Sequence, residues 1–270
     1  MIIGLMADKG GVCKTTAAQN IGAELAVLDP PVLLIDADRQ ADLTELCGVA
    51  SEPNIGLDAI LRQVPTPSAR AYIRPVRPGL DLIGTHPQMR KADRELGQRT
   101  RREYVLEEAL KGVSSDYRHV VIDVGHSEMI QLNVMTIADV LVVPSTPAKL
   151  DADHIINMLE EADLMRRDLR LPSLRASGRV AVSVTRRSPS AGIEADGLGL
   201  IRAEFGTIMA PEVVPFSPRV IEASALHLTL REYRDRYGSS RDRTLSLAVD
   251  AYAALARHVL QLAPEMVGAA

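Results

Sequence analysis

Lys9-Gly10-Gly11-Val12-Cys13-Lys14-Thr15-Thr16 follows the apolar run Met1-Ile2-Ile3-Gly4-Leu5-Met6 and opens a helical stretch, Thr15 to Leu28. A strand that breaks into a glycine-rich turn and then a helix is an anion trap. Backbone N–H groups of the turn converge on one point, and the positive end of the helix dipole aims at the same place. Lys14 adds a point charge for β- and γ-phosphates, and the Thr15 hydroxyl is placed to ligate Mg²⁺. The whole run, from Lys9 through Gly10, Gly11, Val12, Cys13, Lys14 and Thr15 to Thr16, reads as a nucleoside triphosphate site.

Working outward, short apolar runs recur between helical stretches. After the first come Val32-Leu33-Leu34-Ile35, Leu80-Asp81-Leu82-Ile83, His119-Val120-Val121-Ile122, Val140-Leu141-Val142-Val143, Val180-Ala181-Val182-Ser183 and Glu212-Val213-Val214-Pro215. Continuous apolar runs of this kind suit strands buried on both faces. Helices are expected over Gln88–Lys111, Ser127–Thr136, Asp151–Leu169, Gly192–Phe205, Pro218–Ala225 and Thr244–Leu262. The alternation predicts an α/β fold, a mostly parallel twisted sheet with helices on both faces, and the glycine-rich motif after its first strand makes a P-loop NTPase the expected form of it. Residues 1–262 are expected to form a single ATPase domain and 263–270 a flexible tail, while Gly56–Ala71, with Pro65 and Pro67, reads as a surface excursion.

Composition narrows the function. The chain has 270 residues, 46% of them hydrophobic, enough to bury a full α/β core. A net charge of −4 excludes a globally basic nucleic-acid binder, so any DNA contact must come from a local patch. Two cysteines, Cys13 and Cys47, are too few for a disulfide framework or a cysteine metal site. With no signal-peptide pattern and no apolar run of the roughly 18 residues that span a bilayer, a cytoplasmic location without membrane attachment is expected.

A phosphate cradle needs carboxylates at the ends of neighbouring strands, close to the metal. Asp36 closes the Leu33-Leu34-Ile35 run and Asp123 closes Val120-Val121-Ile122. Thr15, Asp36 and Asp123 are therefore the candidate Mg²⁺ residues. Gly125, two residues beyond Asp123, offers a backbone N–H that a γ-phosphate can accept from.

These motifs resemble the ParA/MinD group of ATPases. K-G-G-x-x-K-T is similar to their deviant Walker A motif, whose first lysine, here Lys9, is implied to reach the partner's nucleotide across a dimer interface. A cation delivered in this way is worth about 10³ to 10⁵ in rate. The alternative for Lys9 is a solvated loop lysine. Lysine is scarce, however, and two of only five (Lys9, Lys14, Lys91, Lys111 and Lys149) fall within one loop.

Asp36-Ala37-Asp38-Arg39-Gln40 resembles the family's first switch, D-x-D-P-Q, which implies that Asp38 orients the attacking water. Asp38, Arg39, Gln40 and Gly125 are the switch candidates, and Lys9, Lys14 and Asp38 the catalytic ones. Further resemblances lie at Arg77-Pro78-Gly79-Leu80-Asp81-Leu82-Ile83, at Ala138-Asp139-Val140-Leu141-Val142-Val143-Pro144 and at Ala251-Tyr252-Ala253-Ala254-Leu255-Ala256. Pro215 and Phe216 open a segment that borders the adenine in the family. Three departures fall in functional loops: Cys13 and Arg39 where glycine and proline are usual, and Gly125-His126 where two prolines are common.

The resemblance implies a cycle. ATP drives formation of a sandwich homodimer that binds DNA without sequence preference, and a ParB-like centromere-binding protein stimulates hydrolysis. Such a protein works in plasmid or chromosome segregation, in the cytoplasm on the nucleoid. DNA candidates are Arg186, Arg187 and Arg219, with a cluster at Arg231, Arg234, Arg236, Arg241 and Arg243. A MinD-like membrane role needs a basic amphipathic C-terminal helix, and residues 261–270 carry no basic residue.

Overall fold

The computed structural model describes residues 1–148, 151–187, 192–239 and 241–263, without the side chains of residues 186, 187, 192 and 193. Among them run eight strands: β1 (Ile2–Leu5), β2 (Val32–Ala37), β3 (Ile73–Arg77), β4 (Leu80–Ile83), β5 (His119–Val124), β6 (Val140–Ser145), β7 (Val180–Arg187) and β8 (Val214–Pro215). They form one sheet in the order β3-β4-β2-β5-β1-β6-β7-β8. Every pairing is parallel except β3 with β4.

Eleven α-helices accompany the sheet among the described residues. They are α1 (Lys14–Leu28), α2 (Asp42–Leu46), α3 (Leu57–Arg62), α4 (Met89–Leu96), α5 (Val105–Leu110), α6 (Glu128–Ile137), α7 (Asp151–Asp168), α8 (Gly192–Phe205), α9 (Arg219–Ala225), α10 (Leu230–Tyr237) and α11 (Arg243–Leu262). The inner strands are mostly apolar because helices cover both faces. In β2, Val32 and Leu34 pack towards α1 and α11, whereas Leu33, Ile35 and Ala37 pack towards α3 to α6. The same alternation in β5 and β6 yields two hydrophobic layers, one on each side of the sheet.

The expected α/β architecture is present, with local corrections. β3 was not expected, since Ile73-Arg74-Pro75-Val76-Arg77 carries a proline and two arginines. An edge position tolerates both. Its hairpin to β4 turns through Pro78-Gly79, with Gly79 at φ 72°, a turn that proline and glycine favour in that order. Gly56–Ala71 is not a surface excursion throughout, because it contains α3, whose Leu57, Ile60 and Leu61 are core residues. The single helix expected over Gln88–Lys111 is two helices joined through Arg101, which adopts a positive φ of 55°. Ala263 is fully buried against α11, so the expected tail does not begin there; residues 264–270 lie outside the described residues.

Candidate functional site

β1 runs between β5 and β6, and its chain reverses into α1 through residues 6–13 at the carboxyl ends of the strands. Ligands of open α/β sheets bind at this position. Lys9, Gly10 and Gly11 are exposed, Gly11 sits at φ 79°, and nothing approaches within 4 Å of where a Cβ on Gly10 or Gly11 would lie. The backbone there is open to an incoming group. Thr185 holds the loop from behind: its hydroxyl lies 2.8 Å from the Val12 carbonyl and 3.1 Å from the Ser145 carbonyl, tying loop, β6 and β7 together.

Cys13 caps α1 in the left-handed region, at φ 61° and ψ 30°. Glycine adopts that conformation at no steric cost, whereas a side chain adds roughly 1 kcal/mol of strain. Lys14 is the first helical residue and is nearly buried. Its ammonium donates to Asp123 Oδ1 at 2.6 Å and reaches Asp38 Oδ2 at 3.5 Å. Burial disfavours the lysine charge, yet Asp123, Asp38 and Asp36 outweigh it and raise its pKa above the ordinary value.

Asp36 and Asp123 sit side by side in the β2–β5 register, and both are fully buried. Asp36 Oδ2 accepts from the Thr44 N–H at 2.8 Å and the Thr44 hydroxyl at 2.6 Å, while Oδ1 accepts from the Asp38 N–H at 3.1 Å. Burial first, and then the charge of Asp123, push its pKa up to about 7 despite those donors. Asp123 Oδ2 is buried without a hydrogen-bond partner. Two carboxylates thus pair with one ammonium, a third adds its charge from nearby, and one buried carboxylate oxygen of the group is unsatisfied. That arrangement fits a further cation. Among the described residues no group of three or more His, Cys, Asp or Glu is placed to hold a metal ion by itself. A centre that binds Mg²⁺ through few protein oxygens plus phosphates needs none.

The switch segments are joined to each other. The Gly125 N–H donates to the Ala37 carbonyl at 3.1 Å, extending the pairing of β2 with β5 past both aspartates. A Cβ on Gly125 would lie 3.0 Å from Asp38 Cα and Cγ, which explains glycine at this position. To donate to a phosphate, this N–H must first leave Ala37. Asp38 also accepts from the Gln40 N–H at 3.1 Å, and Arg39 and Gln40 are exposed.

Lys9 donates to Asp151 Oδ1 at 2.7 Å, a contact that the sequence reading missed. Asp151 begins α7 and also accepts from Thr146. Burial raises the Asp151 pKa, but bonds from Lys9 and Thr146 dominate and hold it below the ordinary carboxylate range. Beside this pair, His154 Nδ1 lies 3.2 Å from Asp8. Phe216, just past β8, is half exposed, and Pro215 is partly buried. Arg219 is bonded to Glu222 at 2.5 Å and to Asp242 at 3.4 Å, so a DNA phosphate competes with two carboxylates for it. The side chains of Arg186 and Arg187 lie outside the described residues. Arg236, Arg241 and Arg243 are exposed at the corner between α10 and α11.

A family model described as an AAA domain matches residues 1–173. The chromosome partitioning protein ParA of Caulobacter vibrioides is 30% identical over 265 residues, covering 96% of this chain and 93% of that protein. The chain belongs to the ParA-type family of ATPases. The chromosome-partitioning ATPase Soj of Thermus thermophilus is 31% identical over 234 residues, covering 86% of this chain and 87% of Soj. Among solved structures, apo McdA of Cyanothece matches with a TM-score of 0.76 at 19% identity, over 93% of this chain and 98% of McdA. A putative plasmid partition protein of Borrelia burgdorferi bound to AMPPNP matches with a TM-score of 0.73 at 18% identity, over 93% of this chain and 97% of that one. These structures support the P-loop NTPase fold.

Two predictions follow from the geometry. Cys13→Gly relieves the left-handed strain and is expected to stabilise the protein by about 1 kcal/mol in urea unfolding, with ATP turnover preserved or raised. A loss of stability or a large loss of turnover would contradict this. For Asp36, a folded pKa near 7 against 3.8 means that its favourable contribution is complete below pH 4 and is lost as pH rises through 7. With EDTA present, wild type is expected to lose about 2 to 3 kcal/mol relative to Asp36→Asn between pH 5 and pH 8. Parallel pH profiles of the two proteins would contradict the shift.

Proposed function

We propose that this ParA-type ATPase is a DNA-partition switch: two copies close on ATP, bind DNA backbone without sequence preference, and separate after hydrolysis stimulated by a ParB-type partner. The observation that carries the reading is the Lys14 ammonium at the head of α1, shared by Asp123 and Asp38 and sited in the same loop as Lys9. Residues 9–16 would bind the triphosphate, with Lys14 exchanging its carboxylates for phosphate oxygens. Pro215 and Phe216 would border the base, for which a half-exposed ring offers a stacking surface.

Thr15, Asp36 and Asp123 would hold Mg²⁺, which when bound neutralises charge on the β- and γ-phosphates. Asp38, only partly exposed, would orient the attacking water. Lys9, whose side chain is 43% exposed, would leave Asp151 and stabilise the partner's phosphate in the closed dimer. Hydrolysis by an isolated pair would be slow, because Asp38 and Gly125 are engaged with Lys14, Gln40 and Ala37. DNA would be met by exposed arginines at the α10–α11 corner, with Arg186, Arg187 and Arg219 as further candidates. No helix among the described residues is long and apolar enough to cross a membrane. The proposed location is cytoplasmic, on the nucleoid.

Binding to a random-sequence duplex, measured with Mg²⁺ plus ATP, ADP or no nucleotide at 50 and 200 mM salt, tests this reading. Wild type is expected to bind only with ATP and to weaken about tenfold or more at the higher salt. Lys9→Ala is expected to bind ATP normally but to lose dimerisation and DNA binding. Equal DNA binding in all nucleotide states, or a fully active Lys9→Ala, would sink the proposal.

A further inference from the structure

Thr44 lies on α2, eight residues after Asp36, and is 1% exposed. Both its backbone N–H and its hydroxyl donate to the same oxygen of Asp36, at 2.8 and 2.6 Å. The hydroxyl oxygen in turn accepts the Thr85 N–H at 2.9 Å. A hydroxyl has one proton, and an N–H already approaches its oxygen, so that proton is directed to Asp36. With Asp36 ionised, as a group that holds a cation must be, the relay has one polarity, from Thr85 N–H through the Thr44 hydroxyl to an accepting carboxylate.

The surroundings fix this geometry. A Cβ on Gly84 would come within 2.9 Å of Thr44 Cγ2 and 3.1 Å of its hydroxyl, so glycine alone lets the side chain lie flat against the loop after β4. That loop is itself anchored, with the Leu57 N–H donating to Gly84 at 2.8 Å and the Ser51 hydroxyl to the Thr85 carbonyl at 3.0 Å. With the Asp38 N–H on its other oxygen, Asp36 has three of its roughly four acceptor sites filled. A single direction remains for a cation or its bound water.

We propose that Thr44 is a positioning residue for the metal: its two bonds orient Asp36 so that the remaining lone pair faces the cation. This rests on the reading of the centre as an Mg²⁺–ATP site. Residues that hydrogen-bond a metal ligand typically affect affinity by about 10- to 100-fold. The role belongs to the hydroxyl, so serine retains it and valine, of the same shape, does not.

The test uses Mn²⁺ as the probe, with free Mn²⁺ read by electron paramagnetic resonance in the presence of AMPPNP. Thr44→Val is expected to weaken Mn²⁺ binding about tenfold or more, while Thr44→Ser stays within about threefold of wild type. Binding of AMPPNP without metal is expected to be equal in all three. If Thr44→Val does not fold, Thr44→Ala takes its place with the same expectation. Unchanged Mn²⁺ affinity in a folded Val or Ala variant, or equal weakening in Thr44→Ser, overturns the proposal. So does unfolding of both Val and Ala variants, which would make the role structural. Failure of the underlying reading looks different: wild type itself would bind no Mn²⁺ with AMPPNP.

Discussion

One buried ammonium set against three carboxylates is the constraint on which this structure turns. Lys14 sits where the dipole of α1 already favours negative charge, and Asp36, Asp38 and Asp123 converge on it from the ends of β2 and β5. Such a cluster is poor at stabilising a fold, because taking several charges out of water costs more than one pairing returns. Its shortage of positive charge instead prepares the site for a cation and its open loop for an anion. A metal–triphosphate complex supplies both together.

The rest of the architecture holds those groups in place. The parallel register puts Asp36 beside Asp123, and the extra bond from Gly125 to Ala37 carries that pairing into both switch loops. Thr185 ties the phosphate loop to β6 and β7, so loop and strand ends form one unit. Lys9 is bound to the first residue of α7, giving that helix a direct hold on the residue proposed to act on the partner. The Lys9–Asp151 pair and the neighbouring Asp8–His154 contact thus join the loop to α7.

Much of the fold was legible because its strands are covered on both faces and so read as unbroken apolar runs. The same logic hid β3, an edge strand free to carry Pro75 and two arginines. It also hid α10, whose capping box at Thr229 and Glu232 was readable but which buries only Leu230 and Tyr233. The glycine-rich turn before α1 and the aspartates at the ends of β2 and β5 could be placed from local order alone, since each follows directly on its own strand. Contacts closed by the fold were not. Lys9 and Asp151 are 142 residues apart, and nothing around Asp151 marks it as a lysine's partner. Thr44 carries no signal beyond being a hydroxyl in a helix. Cys13 was noticed as irregular, but its left-handed backbone, which explains why glycine is at home there, appears only in three dimensions.

The central claim is that Lys14 gives up its carboxylates to bind phosphate. Calorimetric titration of ATP with Mg²⁺ into wild type and into Lys14→Gln, which removes the charge and keeps a polar side chain one atom shorter, tests this most directly. The account predicts saturable binding of one ATP per wild-type chain and no measurable binding to a folded Lys14→Gln. Binding of equal strength in both proteins would contradict it.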